Sequence, residues 1–147
     1  MERIRPIHAD FNYFLKHKEE SLSSLYRDLR SFILENFPDT HELLYHTHAL
    51  TSVYSVSPKL GDAYCMIPIY SAHLNLGFNK GTLIPDPSGF LQGTGKLIRH
   101  IPVATHHDYR KPEVIQLIRD AYKLAMEDND HDDPIRSDKL THSRIKV

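Results

Sequence analysis

The chain has one cysteine, Cys65, and no tryptophan. A single thiol excludes an internal disulfide and any cysteine-built zinc cluster, and it suits a reducing compartment. No apolar run approaches the roughly 20 residues a membrane span requires. The opening stretch, MERIRPIHADFNYF, has no apolar block ahead of a small-residue cleavage site. A cytoplasmic location without a membrane partner is therefore expected. Surplus positive charge is also missing: 18 Lys and Arg stand against 19 Asp and Glu, for a formal net charge of −1. Duplex-binding proteins carry excess base to neutralise phosphates, so no nucleic-acid partner is expected.

What remains is ordinary globular material: 147 residues, 40% hydrophobic and 25% charged, enough for one domain with its own core. Histidine is the outlier, at 11 residues. Its side chains make the charge sensitive to pH near neutrality and raise the question of metals.

Residues up to Pro38 read as helix. Phe11, Phe14 and Leu15 share a face, and Leu22, Leu25, Tyr26, Leu29, Phe32 and Ile33 continue a helical stripe, with Glu19 and Glu20 near the helix start, where acids suit its dipole. The period then shortens. Segments 42–46, 50–56, 63–70 and 71–78 are rich in β-branched and aromatic residues, and Leu74, Leu76 and Phe78 alternate with His73, Asn75 and Gly77. Pro68 has no amide donor and is expected at an edge or bend. Residues 96–103 read as a further strand, with a helical turn as the alternative, and Pro112 and Glu113 open a last helix striped by Val114, Leu117, Ile118, Ala121 and Ala125. The expected class is α+β: a mostly antiparallel sheet packed against N-terminal and C-terminal helices, as one domain over 1–126. Residues 127–147 read as a flexible charged tail, because EDNDHDD has five acids and the last 14 residues have four bases and one acid.

The chemistry concentrates between His73 and Val103. Residues 79–95 hold Gly81, Gly89, Gly93 and Gly95, plus Pro85 and Pro87. In Gly93-Thr94-Gly95-Lys96 the backbone amides could converge on an anion, with Lys96 and Arg99 adding charge. A Walker A loop is excluded, because Phe90 stands where the motif needs glycine and Leu97 follows the lysine. A dinucleotide fingerprint fails because Leu97-Ile98 replace its third glycine. The anion reading adds His73, Asn75 and His100; the alternative is a glycine turn with a solvated lysine. Asp86, Pro87 and Gly89 read as loop structure, with Asp86 a turn residue that Arg99 could pair with.

The same segment resembles the YdhG-like family of small proteins of unknown function. The resemblance rests on His73, Asn75, Leu76, Gly77 and Phe78, then Gly81. It continues through Asp86, Pro87, Gly89, Leu91, Gly93, Thr94, Gly95, Lys96, Arg99 and His100. It implies a sheet packed on terminal helices, similar to frataxin, and a frataxin-like link to iron delivery for some members. It implies no catalytic residues.

Histidine pairs supply the metal candidates: His46 and His48, on one side of a strand if the strand continues, and His106 with His107 beside Asp108. No HExxH helix is present. The first helical region mixes Glu19, Glu20, Asp28, Glu35 and Asp39 with Lys16, Lys18, Arg27 and Arg30, which is salt-bridge patterning more than an acidic ridge. Asp128, Asp130, Asp132 and Asp133 lack the central glycine and closing glutamate of a calcium loop.

Three functions compete. The first is a non-enzymatic domain that takes a small anionic ligand or an acidic partner segment at the Gly-Thr-Gly-Lys loop. The second is iron binding and delivery through histidines and carboxylates, iron being the one cofactor in view. The third is an enzyme with a His–Asp site, for which no nucleophile–base constellation is readable. Association into a homodimer stays open.

Overall fold

A computed structural model describes residues 5–129 and 140–146. Among them run α1 (Ala9–Leu15), α2 (Glu20–Asn36), β1 (His41–His46), β2 (Leu50–Ser55), β3 (Ala63–Ile69), β4 (Leu74–Phe78), β5 (Arg99–Val103), α3 (Pro112–Asp128) and β6 (Thr141–Ser143). Among the described residues the sheet has six strands, in the order β5-β4-β3-β2-β1-β6. Strands β1 to β5 pair antiparallel with their neighbours, and β6 joins β1 in parallel. The α+β class expected from the sequence is the class observed. No helix among the described residues is long and apolar enough to cross a membrane.

Alternation sets which strand residues enter the main core. Leu44, Leu50, Tyr54, Cys65, Ile67, Ile69, Leu74, Leu76, Phe78, Ile101 and Val103 form one cluster with the stripes of all three helices. Leu43, Val53 and Ala63 form a second, smaller cluster with Tyr45 and Met66. Each large apolar side chain removed from water in this way contributes about 1.5–3 kcal/mol before conformational entropy is counted.

Three details differ from the expectation. The first helical region holds two helices: α2 starts at Glu20, where the acids place it, but a separate α1 precedes the gap at Lys16–Glu19 and lies against β2 while α2 lies against β3. Pro68 stands in an interior strand. The β3–β4 ladder pairs Cys65 with Phe78, Met66 with Gly77 and Ile69 with Leu74, and it skips the proline. That gap accommodates the missing donor.

The third difference is the C-terminal segment. Residues 127 and 128 continue α3, and 140–146 return to the sheet instead of forming a tail. Glu42 N–H donates to the Leu140 carbonyl and Arg144 N–H to the Leu44 carbonyl, each at 2.8 Å. Ser143 Oγ binds Asp10 at 2.7 Å, and Ile145 is buried in the main core. A three-residue strand in a basic context has too little pattern to be read from sequence, and the open edge of β1 decides it. Asp130, Asp132 and Asp133 lie outside the described residues.

Candidate functional site

Between β4 and β5 the chain makes a long excursion, residues 79–98, with one short 3₁₀ turn at Gly81–Leu83. Gly81 is forced by close approach. A Cβ there would sit 2.5 Å from the Arg99 Cβ and 3.0 Å from its backbone nitrogen, where β5 begins. Asp86 then closes a turn. Its carboxylate accepts the Phe90 and Leu91 amides at 3.0 and 2.9 Å, while its carbonyl accepts Gly89 N–H and Gly89 takes φ +69°. Gln92 and His100 exchange two backbone hydrogen bonds, at 2.8 and 2.9 Å, which pin the segment to β5.

Past that bridge, Gly93 turns the chain at φ +124°. Among the described residues, the amides of Gly93, Thr94 and Gly95 have no hydrogen-bond partner, and the exposed Lys96 has no ion pair. The loop is held instead through its carbonyls. Lys96 C=O accepts Thr82 Oγ1 at 2.8 Å, and Leu97 C=O accepts Thr82 N–H at 3.1 Å. Arg99 Nη1 donates to the Gly95 and Ile98 carbonyls, so Arg99 does not pair with Asp86. Leu83, Leu97 and Ile98 beside this turn are 58, 45 and 51% exposed.

The sheet register sorts the remaining candidates. His100 pairs with Gly77, and its Nδ1 lies 3.6 Å from where a Gly93 Cβ would stand, so it adjoins the loop. Asn75 pairs with Pro102, two positions along the same face. His73 precedes β4 at the opposite end, roughly 17 Å of strand away, where it stacks on Tyr70 with centroids 4.7 Å apart. The loop and His73 are thus not brought together.

That far end gathers histidines. The pairings His46↔Leu50, Leu50↔Ile69, Ile69↔Leu74 and Leu74↔Val103 place the β1–β2 turn, His73 and the residues after β5 at one end of the sheet. His46 ends β1 against Phe14, with centroids at 4.0 Å. His48 falls in the following turn, so the two do not share a strand face. His106 and His107 lie in a 3₁₀ turn with centroids 4.2 Å apart. Among the described residues, no three His, Cys, Asp or Glu are grouped to hold a metal ion. Asp108 is committed to capping. It accepts the Thr105 and Ala104 amides, and these bonds hold its carboxyl below the ordinary value.

Two features escaped the sequence reading. Arg30, read as part of salt-bridge patterning within the first helical region, is buried against Glu42 of β1 instead, and Tyr54, Ser52 and Tyr26 extend the chain of hydrogen bonds. The available signal was Glu42 itself, a carboxylate in phase with the core residue Leu44. The second is a cavity of about 320 Å³ between residues 85–90 and α3. Cys65 offers no nucleophile, because it is fully buried and burial pushes its thiol far up.

No curated protein and no solved structure matches the chain. A family model does match, over residues 12–125, from α1 to the last turns of α3 and across the whole 79–98 excursion. The chain therefore belongs to the family described as domain of unknown function DUF5655.

Proposed function

We propose that this domain is a non-enzymatic binding module that takes an acidic, apolar segment of a protein partner at the Gly93–Lys96 loop. The observation that carries the reading is the run of three successive amide donors, Gly93 to Gly95, without partners among the described residues. Consecutive amides of this kind favour an anion, and Lys96 adds a full charge beside them. The exposed Leu83, Leu97 and Ile98 favour a segment that also carries apolar side chains over a bare small anion. His100 borders the same turn. Arg99 acts as a brace for the loop, because its guanidinium is spent on loop carbonyls.

A frataxin-like iron role, and with it the YdhG-like resemblance, has less support. The histidines and carboxylates do not converge into a ligand set among the described residues. A His–Asp enzyme has less still, since Asp108 is used as a cap and Cys65 is buried.

The test is an amide-resolved NMR titration of the full chain with a synthetic peptide alternating aspartate and leucine. Saturable shifts at residues 93–100, lost in Lys96→Ala and weakened by salt, are expected. Shifts that ignore this loop, or that survive Lys96→Ala unchanged, would reject the reading.

A further inference from the structure

The cavity beside α3 is separate from the Gly93–Lys96 turn, and its lining has a different chemistry. Pro85, Pro87, Phe90, Pro112 and Leu117 supply apolar walls. Leu117 is a core residue, 3% exposed, so this floor is fixed by the packing of α3. The polar lining is acidic on both sides. Asp86 comes from the loop, and Glu113 and Asp120 come from the helix, seven residues apart and so on one face. Among the described residues, no lysine, arginine or histidine lines the space.

A helix start ordinarily attracts anions, yet this one is built against that use. Pro112 in the first turn has no N–H to offer, and the Val114 and Ile115 amides both bond to the Lys111 carbonyl at 3.1 Å. Glu113 in the first turn places a negative charge where the dipole is positive. Asp86 already accepts two loop amides, so it contributes charge more than a vacant acceptor. Asp120 accepts Gln116 Nε2 at 3.0 Å, which steadies the acid beside the floor. The Phe90 ring completes the picture. The Lys111 ammonium, outside the lining, stands 5.0 Å from its centroid, so the ring's attraction for cations is taken, and it offers a ligand apolar contact while the charge is left to Glu113 and Asp120.

We propose that this cavity is a binding site for a small organic ammonium. Its hydrocarbon body would lie on Phe90, Leu117 and the prolines, and its charge would be answered by Glu113 and Asp120. The volume falls at the small end of ligand sites and suits a single ring with a short amine arm. The three carboxylates exclude an anion of the same shape. A neutral analogue keeps the apolar contact and loses the ionic one.

The experiment uses the full chain with three probes of one shape: phenethylammonium, 2-phenylethanol and phenylacetate. Amide shifts are followed at residues 86–90 and 113–120. Phenethylammonium is expected to give saturable shifts there, with the alcohol about tenfold weaker, as loss of a charge-assisted contact implies, and phenylacetate silent. The double variant Glu113→Gln with Asp120→Asn keeps both shapes and should weaken the ammonium about tenfold while leaving the rest of the spectrum unmoved. Equal binding of alcohol and ammonium, full affinity in that variant, or no saturable shift in this cavity would each overturn the assignment. Because the cavity is read at residues 86–90 and 113–120 and the turn at residues 93–100, failure here leaves the peptide reading standing, and the reverse also holds.

Discussion

Arg30 and Glu42 form a two-pronged ion pair inside the core. Arg30 Nε and Nη2 donate to Oε2 and Oε1 of Glu42 at 2.8 and 3.0 Å, with the side chains only 5 and 1% exposed. The pair ties α2 to β1. Arg30 also donates to the Arg5 and Pro6 carbonyls, so it fixes the chain ahead of α1 as well. Tyr54 Oη donates to Glu42 Oε2 at 3.0 Å, and Tyr26 closes the network through Ser52.

Removing one partner strands the other charge away from water. Glu42→Ala is expected to cost about 3–5 kcal/mol. The double substitution Arg30→Met with Glu42→Leu removes both charges and should recover part of that loss. Recovery is partial because the Arg5 and Pro6 carbonyls and the Tyr54 hydroxyl lose their partners. Urea unfolding of the three proteins measures this, and a single-variant loss below about 1 kcal/mol would mean the pair is water-accessible.

His41 predicts a loss of stability in mild acid. Its ring stacks on that of His142, with Nδ1 3.1 Å from the His142 Nε2, at the junction of β1 and β6. Burial holds His41 below the ordinary histidine value, with His142 and Arg5 acting in the same direction. The unfolded chain then binds a proton at about pH 6.5 that the folded chain resists. Stability contributed by the neutral ring is complete above that pH, declines as pH falls below it, and levels off under the folded value. Melting temperatures at pH 7.5 and 5.5 should differ more for the parent than for His41→Asn. Hydrogen exchange at Glu42 and Arg144, whose amides hold β6 to β1, should report the opening first. A parent and variant with equal pH slopes would exonerate His41.

Gly81→Ala tests whether close backbone approach shapes the excursion. The new methyl would fall 2.5 Å from Arg99 Cβ, so β5 must shift at its first residue. A cost of about 1–3 kcal/mol is expected, together with amide shifts through Gln92 and His100, whose mutual bonds sit just beyond. Gly61→Ala is the control, because a Cβ there meets nothing within 4 Å. Thermal melts and amide spectra of the two variants decide the matter. If they behave alike, the tight contact at Gly81 has no structural weight.

Local pattern decided much of this protein before any packing was known. The stripe from Leu22 to Ile33 specifies α2, and the stripe from Val114 to Ala125 specifies α3. The alternation through Leu74, Leu76 and Phe78 assigns β4 its inward face, and all three of those residues are fully buried. Glycine and proline density marked 79–95 as a loop with its own turns. These features were legible because each depends on neighbours a few residues away.

Tertiary structure decided the rest. Glu19 and Glu20 marked where α2 starts, but only docking set α1 against β2 and α2 against β3. The burial of Arg30 needed a partner 12 residues on, and β6 needed the vacant edge of β1 almost 100 residues earlier. His73 looked like a neighbour of Gly93–Lys96 in the written order, but antiparallel pairing carried it to the far end of β4. Residues 85–90 and α3 border a half-open cavity only because the excursion folds back over the helix. Contacts of that range leave no period in the sequence, since their positions follow from strand register and chain path and not from local residue preference.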